Sequence, residues 1–258
     1  MGLNILDAAD KALSQVNFSR ALVVATLGTL VVGNVAWRLR CLGVRDGYTR
    51  KFNHFWLSAI SMAALLGLPD SQFVPTSVMT SLLVIAIYTA SANSRGAYLS
   101  SIIRSNIRDR DEPRGAFFVF LPLITGQLAV YSALAFSHPG FAKIAFCSMG
   151  FGDGLAEPVG LRFGKHPYRV YDLVWRTWNT KSLEGSAAVF FVSLICCVSL
   201  LLGDGWLTGS RLLALAVSYS AFIAAVEALA PRGLDNMLIV GLGAGFLEVW
   251  VPFFAPGS

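Results

Sequence analysis

The stretch "MGFGDGLAEPVGLRFGKHPY", residues 149–168, carries Asp153 and Glu157 into a run that is otherwise small and apolar. The two acids are four residues apart and so share one face of a helix. Carboxylates side by side repel unless positive charge lies between or beside them. A hard divalent cation, which prefers carboxylate oxygen, would supply it. Gly150, Gly152 and Gly154 surround Asp153 and allow close approach of a neighbouring helix or a ligand. Pro158 removes a backbone donor and clashes with the preceding turn, so an irregular helix is predicted where the acids lie. Irregular backbone at membrane depth is tolerated where it lines a cavity. The plainer alternative is a helix-packing site whose acids pair with Arg162 and Lys165 just downstream.

Further along, Glu227 and the pair Asp235-Asn236 add oxygen ligands at helix ends predicted to lie on the same membrane face as the loop after Asp153. Glu248 lies about 20 Å further along its helix and reads as structural, near the opposite interface. Residues 161–184 hold Arg162, Lys165, Arg169, Arg176, Lys181 and His166 against Asp172 and Glu184. A basic loop beside carboxylates has the parts for polyphosphate and metal: cations for phosphate oxygens, carboxylates for the metal. "NTKSLEGSAAVFF" then opens an apolar helix, with Thr180 or Ser182 as its cap and Lys181 at the end that favours phosphate. "RKFNHFW" brings Arg50, Lys51 and His54 to the start of another helix. There is no Walker-type loop, dinucleotide fingerprint, zinc-protease motif or nucleophile elbow. Phosphate is therefore predicted to bind in a membrane-embedded site.

The elements that must position these residues are apolar helices. Of 258 residues, 55% are hydrophobic and 14% charged, with mean hydropathy +0.62. Soluble domains run near a quarter charged. The composition indicates an all-α, polytopic membrane bundle, a single domain over 1–258. Eight helices are predicted, near 20–38, 52–68, 73–92, 115–136, 140–160, 185–203, 211–230 and 235–254. The net charge of +5 does not indicate nucleic acid, because the basic residues lie in short connectors. Connectors 38–51, 95–114, 161–184 and the one with Arg232 hold 16 of the 20 Lys and Arg. By the positive-inside rule that face is predicted to be cytoplasmic, with both termini opposite. The first residues lack the basic and apolar regions of a secretory signal. Cys41, Cys147, Cys196 and Cys197 have no metal-ligand spacing and read as small apolar thiols.

Three stretches, "GDGLAEPVGLRFGKHPY", "NTKSLEGS" and "EALAPRGLDN", fall in order over residues 150–236. Together they resemble the polyprenol kinase family, which includes phytol and farnesol kinases and is related to dolichol kinase and the CTP-dependent diacylglycerol kinase. "RKFNH" resembles that family's early basic-His element. The resemblance implies CTP-dependent phosphorylation of an isoprenoid or related lipid alcohol, with Mg²⁺ or another divalent cation. It implies Asp153 as first metal ligand, with Glu157, Asp235 and Asn236 behind it. Arg162, Lys165, Lys181 and Ser182 would meet phosphates, with Gly152 and Gly154 beside them. Glu227 or His54 would accept the alcohol proton or position the headgroup. A CTP-using phospholipid cytidylyltransferase and a small ion-coupled transporter are the alternatives. Between the motifs, residues 167–180 are longer and more aromatic than the family's pattern.

Overall fold

The computed structural model describes residues 2–65, 68 and 70–254. Residues 66, 67 and 69, at the end of the second predicted helix and in the connector after it, lie outside the described residues, as do 1 and 255–258. The elements are α1 (Gly2–Cys41), α2 (Asp46–Leu65), α3 (Asp70–Asn93), α4 (Ala97–Arg104), α5 (Gly115–Phe136), α6 (Pro139–Cys147), α7 (Gly154–Phe163), β1 (Pro167–Asp172), β2 (Thr177–Ser182), α8 (Leu183–Gly203), α9 (Gly209–Leu229) and α10 (Asp235–Phe254). A π-helical segment, Ser148–Asp153, joins α6 to α7. The fold is an all-α membrane bundle with one small hairpin.

Among the described residues six helices are long and apolar enough to cross a membrane: those within Asn17–Cys41, Gln72–Asn93, Gly115–Phe136, Leu183–Gly203, Gly209–Leu229 and Asp235–Phe254. The other two predicted spans are α2 and the broken α6–α7 rod. α2 is too polar, because it carries Arg50, Lys51 and His54, and the α6–α7 rod is split by the π segment into helices of 9 and 10 residues. On α1, Val23, Leu27 and Val31 recur every fourth residue and each is more than half exposed. An apolar stripe turned outward at helical spacing is what a lipid-facing helix presents.

The main core lies where α6, α8, α9 and α10 meet. Val189, Cys197, Leu215, Tyr219, Ile223, Ile239 and Leu247 are fully buried there. Tyr219 donates its hydroxyl to Ser148 Oγ at 3.1 Å, which satisfies the phenol and fixes the start of the π segment. A smaller core, Tyr88, Ile102, Ile103 and Val119, joins α3, α4 and α5. α2 packs against α7 and the π segment, so it connects the two halves.

The predicted irregularity lies at Ser148–Asp153, upstream of Pro158, which sits inside α7. Pro158 lacks the N–H that would reach the Gly154 carbonyl, but the wide turn itself coincides with the glycines. A Cβ on Gly150 would lie 2.5 Å from Ser58 Cβ. Only glycine lets the π segment approach α2 this closely. At the other end, Glu248 accepts the His138 N–H at 2.8 Å, just before α6 begins.

The predicted loop 161–184 contains an antiparallel hairpin, Pro167–Asp172 against Thr177–Ser182. The strands are rich in aromatic and β-branched residues, Tyr168, Val170, Tyr171, Thr177, Trp178 and Thr180, which favour strand over helix. Tyr171 and Trp178 pair across it, ring centroids 5.3 Å apart. Asp172 organises the turn by accepting from Val174 N (3.0 Å), Trp175 N (3.0 Å), Asn179 Nδ2 (3.1 Å) and Arg232 N (2.8 Å).

Candidate active site

The four basic connectors meet at one end of the bundle. Arg40 pairs with Asp109, Arg108 with Glu157, and Arg232 with Asp111. Trp175 Nε1 donates to the Arg232 carbonyl at 2.8 Å. Trp175 also packs edge-on to Phe117 and Phe118, and the Arg232 guanidinium stacks 4.2 Å above the Phe118 ring. The hairpin is thereby fixed over the start of α5.

Beneath it lies a polar cavity of about 520 Å³. Its lining includes six cations (Arg50, Lys51, Arg108, Arg110, Lys181, Arg232) and five acids (Asp111, Asp153, Glu157, Glu227, Asp235). Lys51 Nζ lies 2.6 Å from Asp153 Oδ2, with both side chains buried. His54 Nε2 lies 3.6 Å from the same oxygen and 3.3 Å from the Met149 carbonyl. Both neighbours are acceptors, so Nε2 carries the proton and Nδ1 is left as acceptor. Glu157 receives Arg108 at 2.6 Å and Arg50 at 3.2 Å. Lys181 pairs with Glu227 Oε1 at 2.7 Å and also donates to the Glu227 carbonyl. Burial works against the charge on Lys181, but the Glu227 carboxylate outweighs it and the ammonium pKa is raised.

Two buried donors in this lining, Arg50 Nε and Arg108 Nε, have no hydrogen-bond partner among the described residues. Burial, then the charge of Arg50, pushes the Arg108 guanidinium down to about 9, with Glu157 offsetting only part. A guanidinium remains charged at neutral pH, so the cavity lining holds buried positive charge at Arg108. An anion with several oxygens bound in this cavity would compensate that charge.

A second, mostly apolar cavity of about 170 Å³ runs into the bundle between α1, α2, α3, α5 and α6. The two cavities share four lining residues: Arg50, Phe118, Asp153 and Asp235. A polar chamber and an apolar one thus meet at two carboxylates and a guanidinium.

Of the predicted site residues, Asp153, Glu157, Lys181, Ser182, Glu227 and Asp235 line the polar cavity, and His54 and Asn236 line the apolar one. Ser182, rather than Thr180, caps α8, accepting the Gly185 N–H at 3.1 Å. Arg162 and Lys165 are exposed at the outer end of α7 and line neither cavity. They do not pair with the two acids, whose partners are Lys51, Arg50 and Arg108. Gly152 and Gly154 also line neither cavity; they face Val189 and Ser193 on α8 and Phe55 on α2 in ordinary packing contact. Asp153, Glu157, Asp235 and Asn236 are not drawn into one ligand cluster. Among the described residues no group of three or more His, Cys, Asp or Glu side chains converges as a metal site. Sequence reasoning missed Arg50, Lys51, Arg108 and Arg232 as site residues. The adjacency of Arg50 and Lys51 to His54 in "RKFNH" was a usable signal. Arg108 and Arg232 stood among other connector cations with nothing to single them out.

The chain is 33% identical over 111 residues to a phytol kinase of Synechocystis sp., a match covering 42% of this chain and 43% of that protein. The match therefore spans less than half the length of that relative. It supports a distant relation to phytol kinase. No family model matches the chain, and no solved structure matches it.

Proposed function

We propose that this protein is a membrane kinase that transfers the γ-phosphoryl group of CTP to the hydroxyl of an isoprenoid alcohol. The observation that carries this reading is the junction of the two cavities at Arg50, Phe118, Asp153 and Asp235. A substrate with a long apolar tail and a single reacting hydroxyl fits the apolar cavity with its hydroxyl at that junction. A triphosphate fits the polar cavity, its oxygens meeting Arg50, Arg108, Lys181 and Arg232. The relation to phytol kinase supports both the acceptor and the reaction type.

Phosphoryl transfer depends mainly on alignment and charge stabilisation. Arg50 and Arg108 line the polar cavity with positive charge for phosphate, and Lys51 neutralises and positions Asp153. Six cations against five acids leave the cavity close to neutral, so a triphosphate there needs further positive charge. A divalent cation fits that requirement, and the carboxylates of Asp153 and Asp235 at the junction are the hard donors it prefers. Asp153 and Asp235 would hold Mg²⁺, which would supply charge neutralisation of the transferring phosphate. The alcohol proton passes to His54 Nδ1, since His54 lines the tail cavity while Glu227 lies on the polar side bound to Lys181. The basic face is assigned to the cytoplasm, where nucleotide is supplied.

Purified protein supplied with a panel of lipid alcohols and CTP labelled at either the α or the γ position tests the reaction. Transfer of γ-label to lipid, without α-label, is expected. The reverse, with pyrophosphate released, would make the protein a cytidylyltransferase. Absence of label from both positions would remove it from nucleotide-dependent lipid chemistry.

A further inference from the structure

The apolar cavity runs from the basic end of the bundle to Phe73, and its depth bears on the length of tail the protein accepts. We propose that Phe73 is the floor of this cavity and sets the longest isoprenoid alcohol that can place its hydroxyl at Asp153. The inference rests on the reading of this cavity as the tail site.

The lining residues fall into order along every helix. Arg50 on α2, Tyr88 on α3, Phe118 on α5 and Asp153 after α6 lie at the basic end. Met62, Phe73, Leu134 and Ala142 on those same elements, with Ala25 on α1, lie at the other. Phe118 and Leu134 are separated by about 24 Å along α5, and Phe73 and Tyr88 by about 22 Å along α3, at 1.5 Å per residue. A cavity of that depth passes well beyond half of a hydrocarbon core about 30 Å thick. The Phe73 ring lines its far end. Phe73 is 6% exposed and clusters with Leu68 and Leu134. Leu68 packs with the Phe73 ring and lines neither cavity. Lys143 Nζ sits 4.8 Å from the Phe73 ring centroid. That ammonium belongs to the group of basic residues outside the basic connectors, which places the floor near the opposite interface. The walls are tied together along the way: Ser81 donates to Gln127 Oε1 at 2.7 Å and Tyr131 to the Ser77 carbonyl at 3.3 Å, both joining α3 to α5. A tail that is too long therefore meets a braced wall and the Phe73 ring. Its excess length would push the hydroxyl out of the junction, so the penalty falls on transfer as well as on binding.

The test compares full-length protein with Phe73→Ala, the milder Phe73→Leu, and Leu134→Phe, which should raise the floor. Each is given labelled prenols of two, three, four, six and eight isoprene units in detergent. Binding of the prenol and transfer of γ-label from CTP are read separately. In the parent protein both should fall steeply beyond one chain length. Phe73→Ala should raise kcat/KM at least about tenfold for the next longer prenol, a factor worth about 1.4 kcal/mol. Phe73→Leu should move the limit the same way by less, and Leu134→Phe should move it to shorter chains. A limit unmoved in all three variants, or absent in the parent while transfer proceeds, overturns the floor and leaves the kinase reading intact. Binding graded by length with no transfer from CTP supports the floor and overturns the kinase reading.

Discussion

The pair Lys51–Asp153 offers the sharpest separation of structure from chemistry. Its charges lie 2.6 Å apart, with side chains 3% and 6% exposed. At that distance the attraction is about 6 kcal/mol for an effective dielectric of about 20. Desolvation of both groups offsets much of this, but removing one partner alone strands a buried charge and costs about 3–5 kcal/mol. Lys51→Met should therefore destabilise the protein by that amount, with Asp153 left uncompensated. Asp153→Asn should cost less, because Lys51 can still donate to the amide. The double variant should recover most of the loss, giving a coupling of about 3 kcal/mol in a double-mutant cycle. The assay is reversible unfolding in mixed micelles for stability, with γ-label transfer followed in parallel. Activity should stay lost in both variants that lack the Asp153 carboxylate, even where stability returns. Additive destabilisation in the double variant would refute the pairing. Near-normal transfer by Asp153→Asn would refute the role of the carboxylate at the cavity junction.

Arg108→Ala should raise the KM for CTP at least about tenfold, as expected for a charge-assisted hydrogen bond worth about 1.5–3 kcal/mol, whereas Arg162→Ala should leave it near normal; the opposite ranking would move the anion site to the exposed end of α7. Asp235→Asn should increase the Mg²⁺ concentration needed for half-maximal transfer at least about tenfold, and an unchanged Mg²⁺ titration would remove Asp235 from the metal site. Ser182→Ala should lower stability by about 1 kcal/mol through loss of the α8 cap, with Ser182→Asp retaining most of it in the same unfolding assay. Gly150→Ala should lower the melting temperature and be rescued by Ser58→Gly, since the new Cβ would meet Ser58 Cβ at 2.5 Å; failure of the rescue would mean that the π segment cannot accept alanine for reasons of backbone alone.

The helices were legible because a membrane demands long apolar runs, and these were unmistakable from Gly115 to Phe136 or from Leu183 to Gly203. The acids were legible for the same reason: a carboxylate inside such a run is conspicuous. The identity of their partners was not. Lys51 meets Asp153 across 102 positions of sequence, and that meeting depends on how closely α2 approaches the π segment. Arg162 and Lys165 drew attention through proximity in sequence to Glu157, yet they leave the end of α7 toward the outside. The hairpin was obscured by its setting, because a basic connector between apolar helices invites reading as a loop. Its aromatic and β-branched residues are nevertheless there in "PYRVYD" and "TWNTKS".

The wide turn at Ser148–Asp153 also bears on which changes the chain can tolerate. In an ordinary helix each residue advances the face by about 100°. A deletion inside this turn would swing everything after it around the axis of α7 by roughly that angle, which also follows from helical geometry. Asp153 would leave Lys51, and Glu157 would leave Arg50 and Arg108, with no side chain chemically altered. Drift by point substitution can therefore pass through this turn wherever the packing permits, as long as Gly150 is kept. Loss of a single codon from it would disconnect both acids at once, so the length of this stretch is under tighter constraint than most of its letters.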